Sequence, residues 1–377
     1  MDAIEKLSAV FEDPYCWARE AKEKGRKVLG VSPMYFPEEL VHAGGALPVV
    51  LQESLEMVVD GYSHLFHFFC GFTRSVVDMG VRNELDFLDG IVVGDMCIQI
   101  RHMAKTLKKN LTDTPVIYMQ WPGEAHDRYI AECTRRLEQC KEQLEGLLGK
   151  KIDEGALKNS VAVYNKHRQL LRKVYEIGKK TPGAIRPREL SAIVVSSMVM
   201  PKEEHNKIIE GLIPELEKRK AGSNGKVNLY LAGHLCISVK VDLLDLIEDV
   251  GGVVVCDDLY GGQRYIATDA PEDLPPLEAF AKRYHNQVVP CATRTESQGE
   301  EWSDYIINHA KESKAGGVIV LMVKQCGPLL LYYPYLRDCL DEAGVPHVLV
   351  ITEHEMVSLE ATRTKLQAFI EMIEKGG

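Results

Sequence analysis

The sequence predicts an α/β protein: two doubly wound parallel-sheet domains, residues 1–125 and 226–377, with a helical segment, residues 126–225, between them. Short apolar, β-branched runs alternate with helical stretches near both ends of the chain, as βαβ units require. The middle lacks strand signal and carries charged amphipathic helices. A third observation relates the two ends. "IVVGDMCIQIRHM" (91–103) and "IVLMVKQCGPLLLYYP" (319–334) each run from an apolar strand through a cysteine into a helix.

The elements follow in order. "MDAIEKLSAVFEDP" reads as an acidic amphipathic helix without the basic, apolar and cleavage regions of a signal peptide. "KVLGVSP" (27–33) reads as a strand, followed by a helix opened by Pro37-Glu38-Glu39. "LPVVLQ" (47–52), "GIVVGD" (90–95) and "VIYMQWP" (116–122) are further strands. In "AECTRRLEQCKEQLEGLL" the apolar positions Cys133, Leu137, Cys140, Leu144 and Leu147 step by four, three, four and three, which marks one face of a helix. Leu157, Val161, Tyr164, Leu171 and Tyr175 mark a second such face. "AGSNGK" (221–226) reads as a linker or turn. Strands resume with "VNLYLAGH" (227–234), "GVVVCDD" (252–258), "GGVIVLMV" (316–323) and "PHVLVI" (346–351).

The bulk numbers narrow the function. A formal charge of −10 argues against a nucleic-acid or anionic-membrane binder. No run approaches the roughly 18 apolar residues of a membrane span, so the cytoplasm is the expected compartment. Ten cysteines are many for a cytosolic chain, where disulfides are disfavoured. Cys-x-x-Cys is absent, which excludes zinc ribbons, thioredoxin motifs and ferredoxin-like runs, so any metal ligands must come from distant parts of the chain.

Position sorts the cysteines in part. Cys133 and Cys140 lie on a helical apolar stripe, Cys339 falls beside Leu336 and Leu340, and Cys16 adjoins Trp17; burial as small hydrophobes accounts for these four. Cys97 and Cys326 follow strands at the carboxyl edge, where parallel sheets bind ligands and where helix starts favour anions. Cys70, in "HLFHFFCGFTRSVVDMG", begins a helix after an aromatic run. Cys236, Cys256 and Cys291 stay ambiguous, and periodicity does not choose among the six.

Over essentially its whole length the chain resembles a subunit of the 2-hydroxyacyl-CoA dehydratase/benzoyl-CoA reductase family. The resemblance rests on "VSPMYFPEELVHAGGALPV" (31–49), "VVGDMCIQIRHM" (92–103), "VYNKHRQLLRKVY" (163–175) and "MPKEEHNKIIEGL" (200–212). "CDDLYGGQRYIATDAP" (256–271), "VKQCGPLLLYYPYLRDCLDEAGVPHVLVITEHE" (323–355) and "TRTKLQAFIEM" (362–372) extend it. The resemblance implies a heterodimeric core in which each related subunit binds one 4Fe-4S cluster through three separated cysteines, matched here by Cys70, Cys97 and Cys326. Three thiolates leave one iron open to act as a Lewis acid. Two reactions are then expected alternatives. One is ATP-driven dearomatisation of benzoyl-CoA to a cyclohexadiene-carbonyl-CoA with electrons from reduced ferredoxin; the other is dehydration of an (R)-2-hydroxyacyl-CoA through a ketyl radical. In the dehydratases Asp often follows the ligand cysteines, whereas Ile98 and Gly327 do so here, and "NQVVPCATRTE" also looks like the reductase branch. The benzoyl-CoA reductase is therefore the expected activity. The chain has no Gly-x-x-x-x-Gly-Lys-Ser/Thr loop, so a separate ATPase partner is expected.

Further candidates are Ser32 and Tyr35 after the first strand, for a thioester oxygen, and His354 between Glu353 and Glu355, for proton relay. His64, His67 and His102 flank the cysteines as candidates for hydrogen bonding to sulfur, and Arg264 in "YGGQRY" suits a CoA phosphate. Turn and packing roles compete at each position. Two other readings stay open: an electron-relay subunit without its own substrate site, and a double-cubane reductase, which would need more clustered ligands.

Overall fold

The structure is a computed structural model describing residues 3–221, 227–236, 239–297, 299–355 and 358–376; of the expected 221–226 linker, residues 222–226 lie outside the described residues. Every apolar run read as a strand forms one. β1 (Val28–Val31), β2 (Leu47–Val50), β3 (Gly90–Gly94) and β4 (Val116–Met119) make one parallel sheet in the order β2-β1-β3-β4. β5 (Val227–Gly233), β6 (Gly252–Asp257), β7 (Gly317–Val323) and β8 (His347–Thr352) make a second in the order β8-β7-β5-β6. In each sheet the chain steps to one side of its first strand and then crosses to the other. The crevices between β1 and β3 and between β5 and β7 are therefore topological switch points, where open parallel sheets bind ligands.

Burial on both faces explains the continuous apolar strands. In β5, Val227, Leu229 and Leu231 face one core while Tyr230 and Ala232 face another. In β7, Ile319 and Leu321 join the first group, and Val318, Val320 and Met322 the second. The smaller core is closed by Leu366, Phe369 and Ile370 of the last helix (Glu360–Gly376). The larger core runs without a break from the first sheet through the helices to the second.

The helices opening the chain are α1 (Ala3–Ser8) and α2 (Cys16–Glu23); α3 (Glu38–Ala43) follows β1. α4 (Gly71–Val81) and α5 (Ile98–Asn110) begin directly after Cys70 and Cys97. Between the sheets lie α6 (Ile130–Leu148), α7 (Glu154–Lys180), α8 (Pro187–Ser197) and α9 (Lys202–Leu216). The stripe Cys133, Leu137, Cys140 and Leu144 on α6 is buried, as is Leu157, Val161, Tyr164, Leu171 and Tyr175 on α7. α7 packs on α3 at one side and on β6 at the other, so the helical segment bridges both sheets. Among the described residues no helix is long and apolar enough to cross a membrane.

Polar residues from distant stretches lock this bridge. Arg168 of α7 donates to Glu39 of α3 at 2.8 Å, and Tyr284 donates to the same carboxylate at 2.7 Å. Lys202 of α9 lies 3.2 Å from Glu38 and 2.6 Å from the Tyr265 hydroxyl, which itself donates to Glu38. The side chains of Glu38, Glu39, Arg168 and Lys202 are almost wholly buried. Buried charges persist only when paired and hydrogen-bonded, which these are.

Candidate functional site

Cys70, Cys97 and Cys326 occupy the same structural position: each is the residue preceding the first turn of a helix, respectively α4, α5 and α12 (Gly327–Glu342, counting α10 as Val241–Asp249 and α11 as Trp302–Glu312). All three have extended backbone, and none makes a side-chain cap hydrogen bond. Three sets of unpaired N–H groups, each the positive end of a helix dipole, thus accompany three thiols.

One side chain ties the three turns together. Gln99, two residues beyond Cys97, accepts from the Cys70 N–H at 2.9 Å and donates to the Gln325 carbonyl at 2.9 Å. Gln325 stands directly before Cys326 with φ +64°, a left-handed conformation that costs a side-chain-bearing residue roughly 1–2 kcal/mol. Met34 (φ +70°) and His234 (φ +42°) adopt it at the exits of β1 and β5. Such strain gathers where surrounding structure over-determines a functional loop.

Burial raises the pKa of all three thiols. It pushes Cys70 up to about 11, with neighbouring Cys97 and Glu53 adding to the rise. It pushes Cys326 up to about 12, with Cys70 and Cys97 adding, and it raises Cys97. Among the described residues no three His, Cys, Asp or Glu side chains converge closely enough to hold a single metal ion.

The other candidates separate. His354 is buried, not an exposed loop residue: its Nε2 lies 2.9 Å from the Glu56 carbonyl and its Nδ1 faces Glu53 at 3.4 Å, an ion pair without hydrogen-bond alignment. Burial pulls its pKa down, but the Glu53 carboxylate and the Glu56 carbonyl outweigh this and leave it raised. It backs onto the cysteine site, since a Cβ on Gly71 would stand 2.6 Å from that of His354. Ser32 is engaged in the sheet seam, accepting from Gly94 N at 2.8 Å and donating to Gly94 O at 3.4 Å. The Tyr35 hydroxyl lies 3.2 Å from Cys291 Sγ and 3.0 Å from Thr293 Oγ1, and burial raises its pKa far above the usual phenol value. Arg264 is buried in an ion pair with Asp258 and donates to the Val289 and Pro290 carbonyls, which commits it to the interior. His64, His67 and His102 are exposed, the latter two edge-on to Phe68 and Phe69.

Sequence reasoning missed Gln99, Glu53 and Asp95. Asp95 pairs with Arg101 at 2.6 Å, and Arg101 also donates to the Tyr118 hydroxyl. Gln99, Asp95 and Arg101 all lie in the stretch 92–103, but periodicity cannot separate a clamp from a helical surface residue. Near the cysteines in the chain several large apolar side chains are exposed, Phe66, Phe68, Ile98 and Leu331, the last at 85%, alongside the exposed His64, His67 and His102. Phe66 and Phe68 stack on one another, with ring centroids 5.4 Å apart.

The profile of one protein family, described as HGD-D, 2-hydroxyglutaryl-CoA dehydratase, D-component, matches residues 33–373. The chain is 28% identical to the (R)-phenyllactyl-CoA dehydratase beta subunit of Clostridium sporogenes, over 97% of its own length and 96% of the relative's. It is 26% identical to a benzoyl-CoA reductase subunit of Thauera aromatica, over 99% of its own length and 98% of the relative's. It is 28% identical to the beta subunit of the (R)-2-hydroxyglutaryl-CoA dehydratase of Acidaminococcus fermentans, over 98% of each.

Proposed function

Because the chain belongs to the 2-hydroxyglutaryl-CoA dehydratase D-component family, we propose that it is the iron–sulfur subunit of an ATP-dependent benzoyl-CoA reductase. Family members are subunits of complexes that process CoA thioesters, so partner subunits are part of the assembly. The observation that carries the proposal is the set of three helix starts, each preceded by a cysteine, held together by Gln99.

Cys70, Cys97 and Cys326 are the residues that would hold a 4Fe-4S cluster. Soft thiolates suit it, and helix N-termini favour the negative charge they acquire on losing their protons. In a cubane each thiolate would bind its own iron, so three thiols from separate turns suffice. Bound there, the cluster would supply one-electron transfer. Exposed apolar side chains near the cysteines in the chain, Phe66, Phe68, Ile98 and Leu331, are available to pack on the homologous subunit. Cluster potentials reach only about −700 mV, and an aromatic ring is harder to reduce, so the ATPase partner must energise the electron from ferredoxin.

The choice of branch rests on Ile98 and Gly327 standing where dehydratases often carry Asp. The names of two relatives favour the second reading, an (R)-2-hydroxyacyl-CoA dehydratase. Assay of the anaerobic complex decides between them. With reduced ferredoxin, ATP and the ATPase it should convert benzoyl-CoA to a cyclohexadiene-carbonyl-CoA. Dehydration of an (R)-2-hydroxyacyl-CoA without ring reduction would establish the second reading, and ring reduction without ATP would contradict the energetic argument.

Gln99 provides an independent check. Gln99→Ala leaves the buried Cys70 N–H and the Gln325 carbonyl without this partner, each at about 1–3 kcal/mol. The variant should keep wild-type far-ultraviolet circular dichroism yet lose iron several-fold faster in air. Gln99→Glu, which accepts from Cys70 but cannot donate to Gln325, should fall between. Equal rates of iron loss in all three proteins would remove Gln99 from the site.

A further inference from the structure

The polar lock between the sheets does not balance its own charge. Glu38, Glu39, Arg168, Lys202 and Arg283 are all buried, and Arg283 acts on Glu39 together with Arg168. Two carboxylates therefore face three cations. The pairs around them are matched and change nothing: Arg172 meets Asp269 at 2.6 Å, and Arg264 meets Asp258. Burial and the nearby Lys202 pull the pKa of both His167 and His205 down, the latter to about 3, so neither adds a charge at neutral pH. One positive charge is left over in the interior, where an uncompensated charge is costly.

The contacts of Lys202 are those of an ammonium. It meets three acceptors, the Ser197 carbonyl, the Tyr265 hydroxyl at 2.6 Å and Glu38 at 3.2 Å, and it lies 5.1 Å from the ring centroids of Tyr164 and Tyr265. The Tyr265 proton is committed to Glu38, so its oxygen accepts from Lys202. Three acceptors match the three protons of an ammonium, whereas a neutral amine would leave one acceptor unserved. Burial lowers the Lys202 pKa, and Glu38 and Glu39 oppose the fall.

Arg283 is the cation without a carboxylate of its own. Among the described residues it donates only to carbonyls, from Nε to Thr268 at 2.9 Å and from Nη2 to Tyr265 at 3.3 Å, which leaves Nη1 without a partner. It lines a cavity of about 50 Å³ with Met34, Tyr35, Glu38 and Tyr260. Glu38, the one carboxylate in that wall, already serves Lys202 and Tyr265. Met34 and Tyr35 follow β1, so the cavity stands at the switch point of the first sheet. At roughly 30 Å³ per water, it has room for one or two groups of that size.

We propose that this cavity binds one small monovalent anion, a halide or a carboxylate no larger than formate, seated on Arg283 to balance the buried lock. A divalent anion would overshoot the single excess charge. The site is separate from the cysteines, and its occupancy stabilises the bridge between the sheets by linkage.

Thermal unfolding of the full-length chain tests this, with gluconate replaced by chloride at constant ionic strength under anaerobic conditions. The wild-type melting temperature should rise by several degrees along a saturating, single-site curve. Arg283→Gln should abolish the rise, and Arg283→Lys, which keeps the charge, should retain part of it. Crystals of the wild-type chain soaked in bromide should show one anomalous peak beside Arg283. Displacement of that bromide by formate would show a site that takes carboxylates, and its persistence a halide site; both support the proposal. A wild-type chain that melts alike in chloride and gluconate, with no bromide peak, overturns it and leaves Lys202 uncharged instead. An equal chloride effect in Arg283→Gln also overturns it, because the anion then acts elsewhere.

Discussion

Serine at Cys70, Cys97 or Cys326 should reduce the iron of the anaerobically isolated chain from about four atoms to near none, and abolish turnover by the complex. The substitution isolates the ligand from the fold. Each of these residues precedes the first turn of a helix, and serine is among the best residues at that position, so the helix starts should be kept or strengthened. What is lost is the soft, charged donor. Cys133 and Cys140 should behave oppositely. Both are buried on the apolar face of α6, where a serine hydroxyl costs about 1–3 kcal/mol unless it finds a partner, yet iron should stay at the wild-type level. Iron analysis beside thermal unfolding reads the two effects separately. Full iron in the Cys97→Ser and Cys326→Ser proteins would sink the assignment.

The second large effect lies away from the site. Arg168→Met should destabilise the fold by about 3–5 kcal/mol, because it strands the Glu39 carboxylate in a buried position. Against a total stability of about 5–15 kcal/mol this is severe. Pairing it with Glu39→Gln removes the stranded charge and should recover much of the loss, since the two residues act as one unit. Thermal unfolding of the single and double variants checks this; a single variant melting with the wild type would refute it. The pH dependence has a definite sign. Burial pushes the Glu39 pKa up, but Arg168, Arg283 and Tyr284 outweigh it and hold it below its ordinary 4.5. Its stabilisation is therefore complete above about pH 4.5 and is lost as pH falls through the lower folded-state value.

This network also shows what the family-like stretches encode. Glu38, Glu39, Arg168, Lys202 and Tyr265 come from four of those stretches, and in the structure they bind one another. Residues that look like functional polar positions in a linear sequence are here the internal lock between α3, α7, α9 and the short helix Gln263–Ile266 after β6. Arg264 makes the same point, since its guanidinium serves Asp258 and two carbonyls.

Local patterns by themselves determined the secondary structure. Apolar runs of strand length, bounded by Gly, Pro and Asp, specified the eight strands of the two parallel sheets, though not the short antiparallel pair Glu296–Ser297 and Glu300–Glu301, and steps of three and four specified the buried faces of α6 and α7, because both signals lie within a few consecutive residues. They likewise determined that Cys97 and Cys326 sit where a strand gives way to a helix. Strand order decided the rest, and strand order is a non-local property. Only the parallel arrangement with β1 and β5 inside creates two switch points, and only the fold lets Gln99 reach both the Cys70 and Gln325 turns. It also closed Glu53 and Glu56 around His354 and brought Cys236 next to Met96. A cysteine has the same identity in a core and in a site; what separates the two is the company that distant parts of the chain bring to it.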